Sequence, residues 1–213
     1  MEFDITTSQD HITRPAKILP TPATAEASPM AEQYPALSQE LIDWIHAQHV
    51  FFVATAAPDG RINLSPKGMD SLRVTGPNTI LWLNLTGSGN ESAAHLLEAN
   101  RLTIMWCAFE GPPRILRTYG SAEIVHPRDV DAWAECAELI APPLGARQYF
   151  KVHVDMAQTS CGYAVPNMNY SGDRDVLTRW SEKRGEAGIE AYWEEQNQTS
   201  LDGKPTRILQ GEA

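Results

Sequence analysis

ILWLNLTGSGNESAAHLLEANRLTIMW, residues 80–106, decides how the rest of the chain is read. An apolar run rich in β-formers, Ile80 to Leu85, meets a turn containing Gly87 and Gly89. Ser88-Gly89-Asn90-Glu91 has the spacing of a helix capping box, with Asn90 as an alternative N-cap, and a short helical pattern follows. A second apolar run, Leu102 to Trp106, closes the unit. A strand that turns directly into a helix start is a place to hold an anion. The first N–H groups of the helix lack intrahelical partners, and the positive end of its dipole faces the same spot. On local sequence alone, an ordinary helix start fits these residues equally well.

Outward from this unit the chain reads mainly as strands. VFFVATA (Val50 to Ala56) predicts a buried strand, Pro58-Asp59-Gly60 a turn, and RINLSPKG a return strand. In that return Ile62 and Leu64 alternate with Asn63 and Ser65, giving one apolar and one polar face, and Pro66 belongs at an edge. Ser71 to Val74 predicts a short strand, and ILRTYGSAEIV (Ile115 to Val125) a long one with a bulge or bend at Gly120. Tyr149 to Val154 alternates as a last strand.

Helices are expected after Ser38, where Leu41, Ile42 and Ile45 share a face, and after Pro127, with Val130, Trp133, Ala137 and Ile140 on one side. Further helical patterns surround Trp180 and Trp193. Six or so strands with helices between or after them predict a mainly β, α+β architecture: an antiparallel barrel or sheet with peripheral helices, not a doubly wound fold.

Residues 1–36 carry Pro15, Pro20, Pro22, Pro29 and Pro35 among small polar residues, and predict an extended or disordered arm. The expected domain is 37–205, with a short tail at 206–213. The chain has 213 residues and a net charge of −10, a balance that argues against broad nucleic-acid or anionic-membrane binding. Nothing approaches the ~18 uninterrupted apolar residues of a membrane span. Cys107, Cys136 and Cys161 lie far apart without a CxxC pair, as expected of reduced thiols in a cytoplasmic protein.

Several residues could carry chemistry. Asn63, Ser65 and Lys67 form a polar row ending in a cation, and a phosphate at a helix start gains from one or two such donors. Taken alone, Lys67 reads more readily as a solvated lysine. Arg117 shares a strand face with Ile115 and Tyr119, and needs either a structural carboxylate or a bound anion. His46 and His49 lack partners for a metal set, so no metal is expected. There is no GxSxG elbow, Walker loop or GxGxxG fingerprint.

The ordered set VFFVATA, DGRINLSPKG, the 80–106 unit and ILRTYGSAEIV resembles the pyridoxamine 5′-phosphate oxidase-like FMN-binding proteins, over roughly residues 35–205. It is most similar to a branch with SPKG, GSGNE, FEGPPRILR and TSCGY motifs. The resemblance implies a six-stranded antiparallel split barrel, a homodimer, and FMN held at the subunit interface. It places Lys67 near the flavin and Leu85-Thr86 along the ring edge. Asn90, Glu91 and Ser92 stand where the oxidases carry Ser-Arg-Lys, whose two cations bind the FMN phosphate. The expected arrangement is therefore Glu91 capping the helix, Ser88, Asn90, Ser92 and N–H groups taking the phosphate, and Lys67 or Arg117 supplying charge.

The arginine- and serine-rich grip on pyridoxal phosphate is missing and TSCGYAVPNMNY replaces the usual C-terminal Trp-and-Arg arrangement, so pyridoxine phosphate is not the expected substrate. The expectation is a flavin-dependent oxidoreductase acting on a small molecule, with NAD(P)H a candidate donor. The alternative is a non-catalytic binder of flavin, haem or deazaflavin.

Overall fold

A computed structural model describes residues 31–210. The expected arm over 1–36 therefore falls largely outside the described residues, as does the end of the expected tail. In chain order the elements are β1 (Ala31–Tyr34), α1 (Gln39–His46), β2 (Phe51–Thr55), β3 (Asn63–Lys67), β4 (Leu72–Gly76), β5 (Thr79–Leu85), α2 (Glu91–Glu98), β6 (Leu102–Cys107), β7 (Ile115–Val125), α3 (Val130–Leu139), β8 (Ala146–Ser160) and α4 (Val176–Gln196). Gly185, at φ 67°, breaks α4 into two helical pieces. At the start of α1 the Ser38 hydroxyl accepts the Leu41 N–H at 3.3 Å, the cap the sequence predicts.

All strand pairs are antiparallel, in the order β3-β2-β6-β7-β8-β5-β4, with β1 added beside β8. The edge strands β3 and β4 follow one another in sequence, separated by residues 68–71. Laid flat, seven strands would hold those edges about 29 Å apart. The five Cα steps from Lys67 to Leu72 span at most about 18 Å. The sheet must therefore curl until its two edges approach without pairing. That is a split barrel, and its interior holds Val53, Trp82, Ile104, Leu116, Phe150 and Val154, all fully buried.

Eight strands stand where about six are expected. Seven of the eight follow segments read as strands in the sequence, and the one that does not is β1. On that side of β8, β5 covers only Ala146 to His153, so Ala157 to Ser160 would be left as a bare edge, and Ala31–Tyr34 pairs with it. β8 also starts earlier than expected, at Ala146 rather than Tyr149. The bulge expected at Gly120 is present: the β7–β8 register shifts between Tyr119 and Gly120.

Outside the barrel, α3 covers β5 and β8 through Cys136 and Ile140 with Trp133 partly buried, while Val130 is 71 % exposed and not on the packed face as expected. In β3 the expected alternation holds, and it is the polar face that turns inward. Ile62 is 77 % and Leu64 63 % exposed, whereas Asn63, Ser65 and Lys67 are half-buried. The polar row turns inward because Asn63 donates to Thr55 Oγ1 (3.1 Å) and Ser92 Oγ (3.2 Å).

Candidate functional site

The end of β5, the loop Thr86–Asn90, the start of α2, the polar row of β3 and the start of β8 converge on one cleft of about 810 Å³. Thr86 anchors the loop: its hydroxyl donates to Gly145 O and accepts from Trp193 Nε1, each at 2.8 Å. Asn197, just beyond α4, donates to Gly87 O at 3.0 Å. The loop is thus fixed by a C-terminal segment more than a hundred residues away in sequence.

Asn90 is the N-cap of α2 but makes no side-chain cap bond. Its amide pairs with the buried Gln148 amide, receiving a bond of 2.8 Å and donating one of 3.4 Å. Glu91 does not cap the helix either, contrary to expectation. Its carboxylate accepts the Leu201 N–H at 3.0 and 3.2 Å, which draws it toward the C-terminal segment. The first N–H groups of α2 are therefore left without a side-chain acceptor, beside the Ser92 hydroxyl. That hydroxyl accepts from Asn63, which leaves its own proton to give.

Arg147, at the start of β8, supplies the charge. It is 3 % exposed. Its Nε and Nη2 donate to Asn84 Oδ1 (3.0 and 2.6 Å), and its Nη1 to Gly89 O (2.9 Å) and Asn197 Oδ1 (2.8 Å). All three acceptors are neutral, and Arg147 makes no ion pair among the described residues. Burial pushes its guanidinium down to about 9, which leaves it charged at neutral pH. Lys67 lines the same cleft, 5.7 Å from the centre of the Trp82 ring, also without an ion pair among the described residues. Burial first, then the charge of Arg147, pushes its ammonium down to about 8. A buried and a half-buried cation, neither in an ion pair among the described residues, stand beside an uncapped helix start and form a site that favours an anion, although Glu91 in the same cleft offsets part of the Arg147 charge.

Of the residues expected from sequence, Asn63, Ser65, Lys67, Leu85, Ser88, Asn90 and Ser92 line this cleft. Thr86 lies behind it as the loop anchor. Arg117 is not brought to it: it sits in β7 between Met105 and Gln158, and its Nη1 donates to Ser160 Oγ at 3.1 Å, with no carboxylate in contact among the described residues. Gln158 is eleven residues along β8 from Arg147, at about 3.3 Å of rise each, far more than one phosphate spans. His46 has a structural use, accepting the Val74 N–H at 3.2 Å. No group of three metal-ligand side chains occurs among the described residues.

The sequence of residues 37–161 matches the family described as pyridoxamine 5′-phosphate oxidase, and a protein of Aspergillus flavus, "Pyridoxamine 5′-phosphate oxidase family protein ustO", is 33 % identical over 191 residues, covering 81 % of this chain and 76 % of that one. The chain belongs to the pyridoxamine 5′-phosphate oxidase family. Solved structures similar to this oxidase-family chain include HupZ of Group A Streptococcus, 22 % identical, with a TM-score of 0.44 over 56 % of this chain and 91 % of that one. The haem storage protein HutZ of Vibrio cholerae is 18 % identical, with a TM-score of 0.43 over 58 % and 93 %. The FAD-binding protein of Mycobacterium smegmatis is 17 % identical, with a TM-score of 0.42 over 60 % and 99 %. The family match ends at Cys161, so α4, Trp193 and Asn197, which brace the loop, lie outside it.

Arg147 is the residue that the sequence reading misses. Carrying the alternation of Tyr149 to Val154 two residues back would have placed it on the Tyr149 face of β8. An arginine on a buried face with no acidic neighbour in its strand start is the signal that points to it.

Proposed function

We propose that the protein is an FMN-dependent oxidoreductase of small molecules, working as a homodimer with the flavin at the subunit interface. The observation that carries this is the pair of buried Arg147 and half-buried Lys67, neither in an ion pair among the described residues and with only the more distant Glu91 charge acting on Arg147, at the uncapped start of α2. The FMN phosphate is the anion this site fits. Arg147 and Lys67 would neutralise it, and Ser88, Ser92 and the α2 N–H groups would donate to it. Asn63 orients Ser92, and Leu85 would lie along the ring edge. Bound FMN supplies hydride transfer at its ring, and the chain supplies binding, orientation and electrostatics. The exposed Ile62 and Leu64, on an edge strand beside the cleft, are the apolar surface offered to a second copy.

Lys67 gives the site a pH dependence. With its free ammonium near 8, an adjacent phosphate dianion raises that value, so binding is accompanied by proton uptake. Affinity is then full below about pH 8 and falls as pH rises past it, by about tenfold between pH 7 and 9. Calorimetric FMN titrations at the two pH values should show this fall in the wild type and only about a twofold one in Lys67→Met, where Arg147 alone titrates. A flat wild-type profile would remove Lys67 from the site.

Catalysis is tested by turnover. Under anaerobic conditions NADH or NADPH should bleach the visible band of the bound flavin, and an electron acceptor should restore it. A flavin that binds and is never reduced by either nucleotide would favour the non-catalytic binder.

A further inference from the structure

Beyond Lys67 the cleft opens into a second chamber of about 700 Å³. The two chambers share Lys67, Gly87 and Ser88, and their chemistry is opposite. The anion cleft is walled by serines, asparagines and Arg147. The far wall of the second chamber is α4, with Val176, Leu177, Trp180 and Tyr192. Trp180 and Tyr192 meet edge to face at 5.1 Å and 82°. The Arg184 guanidinium lies 4.6 Å from one ring centre and 4.8 Å from the other, which fixes the pair.

The segment leading into α4 is held to the barrel by Tyr170, stacked on His49 at 3.6 Å. Val176 is nevertheless 59 % exposed, an apolar side chain facing open space. At the rim, Asp173 and Arg174 offset one another in charge. Lys67, with three N–H donors and no ion pair among the described residues, stands at the junction and contributes the net positive charge.

We infer that this second chamber is a binding site for a small, flat apolar molecule carrying a carboxylate or sulfonate, seated between α4 and Lys67 with its anionic group toward the lysine. It is the substrate site of the proposed flavoenzyme. Calling the ligand a substrate rests on the flavin reading above; its binding does not. Because α4 lies beyond the residues that match the family model, selectivity is set by a wall outside that core.

The test is calorimetric titration of 8-anilinonaphthalene-1-sulfonate, with and without saturating FMN, into the wild type, Leu177→Trp and Val176→Trp. The wild type should bind one probe molecule per chain in both conditions, more weakly with FMN, whose phosphate shares the Lys67 ammonium. Filling the chamber should lower probe affinity about tenfold or more in at least Leu177→Trp, and leave FMN affinity within about twofold. Val176, being exposed, keeps the test open if Leu177→Trp fails to fold. Displacement of the probe by FMN, or lost FMN affinity in the tryptophan variants, would overturn the inference by giving the chamber to the flavin itself. Probe affinity that is absent in the wild type, or unchanged in both variants, would overturn it as well. A wild type that takes the probe and no FMN would sink the flavin reading and leave the chamber's ligand class standing.

Discussion

Arg147→Gln is expected to lower FMN affinity by about 100-fold or more while the apoprotein stays folded. Arg147 is buried and donates only to neutral oxygens, of Asn84, Gly89 and Asn197. A charge held this way keeps its desolvation cost until an anion arrives, so the free protein gains little from it. Removing the charge takes away both the attraction for the phosphate and that cost. Truncating one partner of a buried, hydrogen-bonded charge pair typically costs about 2–5 kcal/mol of binding, and each ~1.4 kcal/mol is tenfold. The glutamine amide keeps a donor for Asn84, so the apoprotein melting temperature should move by a few degrees at most. FMN calorimetry and a thermal melt of the apoprotein check the two halves separately. Arg147→Lys keeps the charge without the planar fork and should fall between, at about tenfold. An Arg147→Gln chain that cannot fold would instead make Arg147 a strut for the Asn84, Gly89 and Asn197 carbonyls.

Gly120→Ala is expected to be the most destabilising single methyl in the described chain. A Cβ at this position would stand 1.9 Å from His153 O and 2.9 Å from its carbonyl carbon. Both atoms belong to the backbone of β8, so no side-chain rotation relieves the clash. Gly120 sits at the register shift between β7 and β8, with the β8 backbone directly against it. To admit the methyl, that central pairing would have to open. A cost of about 4 kcal/mol or more is expected, in the range reserved for overpacked or strained sites. For a domain of this size that lowers the melting temperature by roughly 10 °C or more. A thermal melt within 3 °C of wild type, about 1 kcal/mol, would show that the bulge has slack.

The barrel was legible where local signals decide it. Ile115 to Val125 is a strand over its full expected length, with its bulge at Gly120, because alternation and a lone glycine are both local. Ser38 caps its helix for the same reason. The strand Ala31–Tyr34 has no such signal: it is polar and largely exposed, and it exists because part of β8 needs a partner. The facing of β3 was equally out of reach, since alternation gives two faces and not which one looks inward. Asn63 turns inward because Thr55 and Ser92, distant in sequence, receive its amide protons.

The candidate site divides along the same line. The turn into α2 was readable as an anion cradle, and seven of the nine expected ligands line the cleft. Its charge was not readable, because Arg147 and Gln148 interrupt the apolar alternation and pushed the expected start of β8 to Tyr149. The role of Glu91 was misread because its partner, the Leu201 N–H, lies 110 residues away. Arg117 satisfied a local rule, yet its strand position leaves it at the other end of β8 from the cluster.

The flavin site is tested most directly by calorimetric titration of FMN into dialysed wild-type protein, with the absorbance spectrum of the undialysed protein recorded first. One FMN per chain, bound at micromolar Kd or tighter (about −8 kcal/mol or better), is the expected result. A protein that carries no yellow chromophore and takes up no FMN would contradict it.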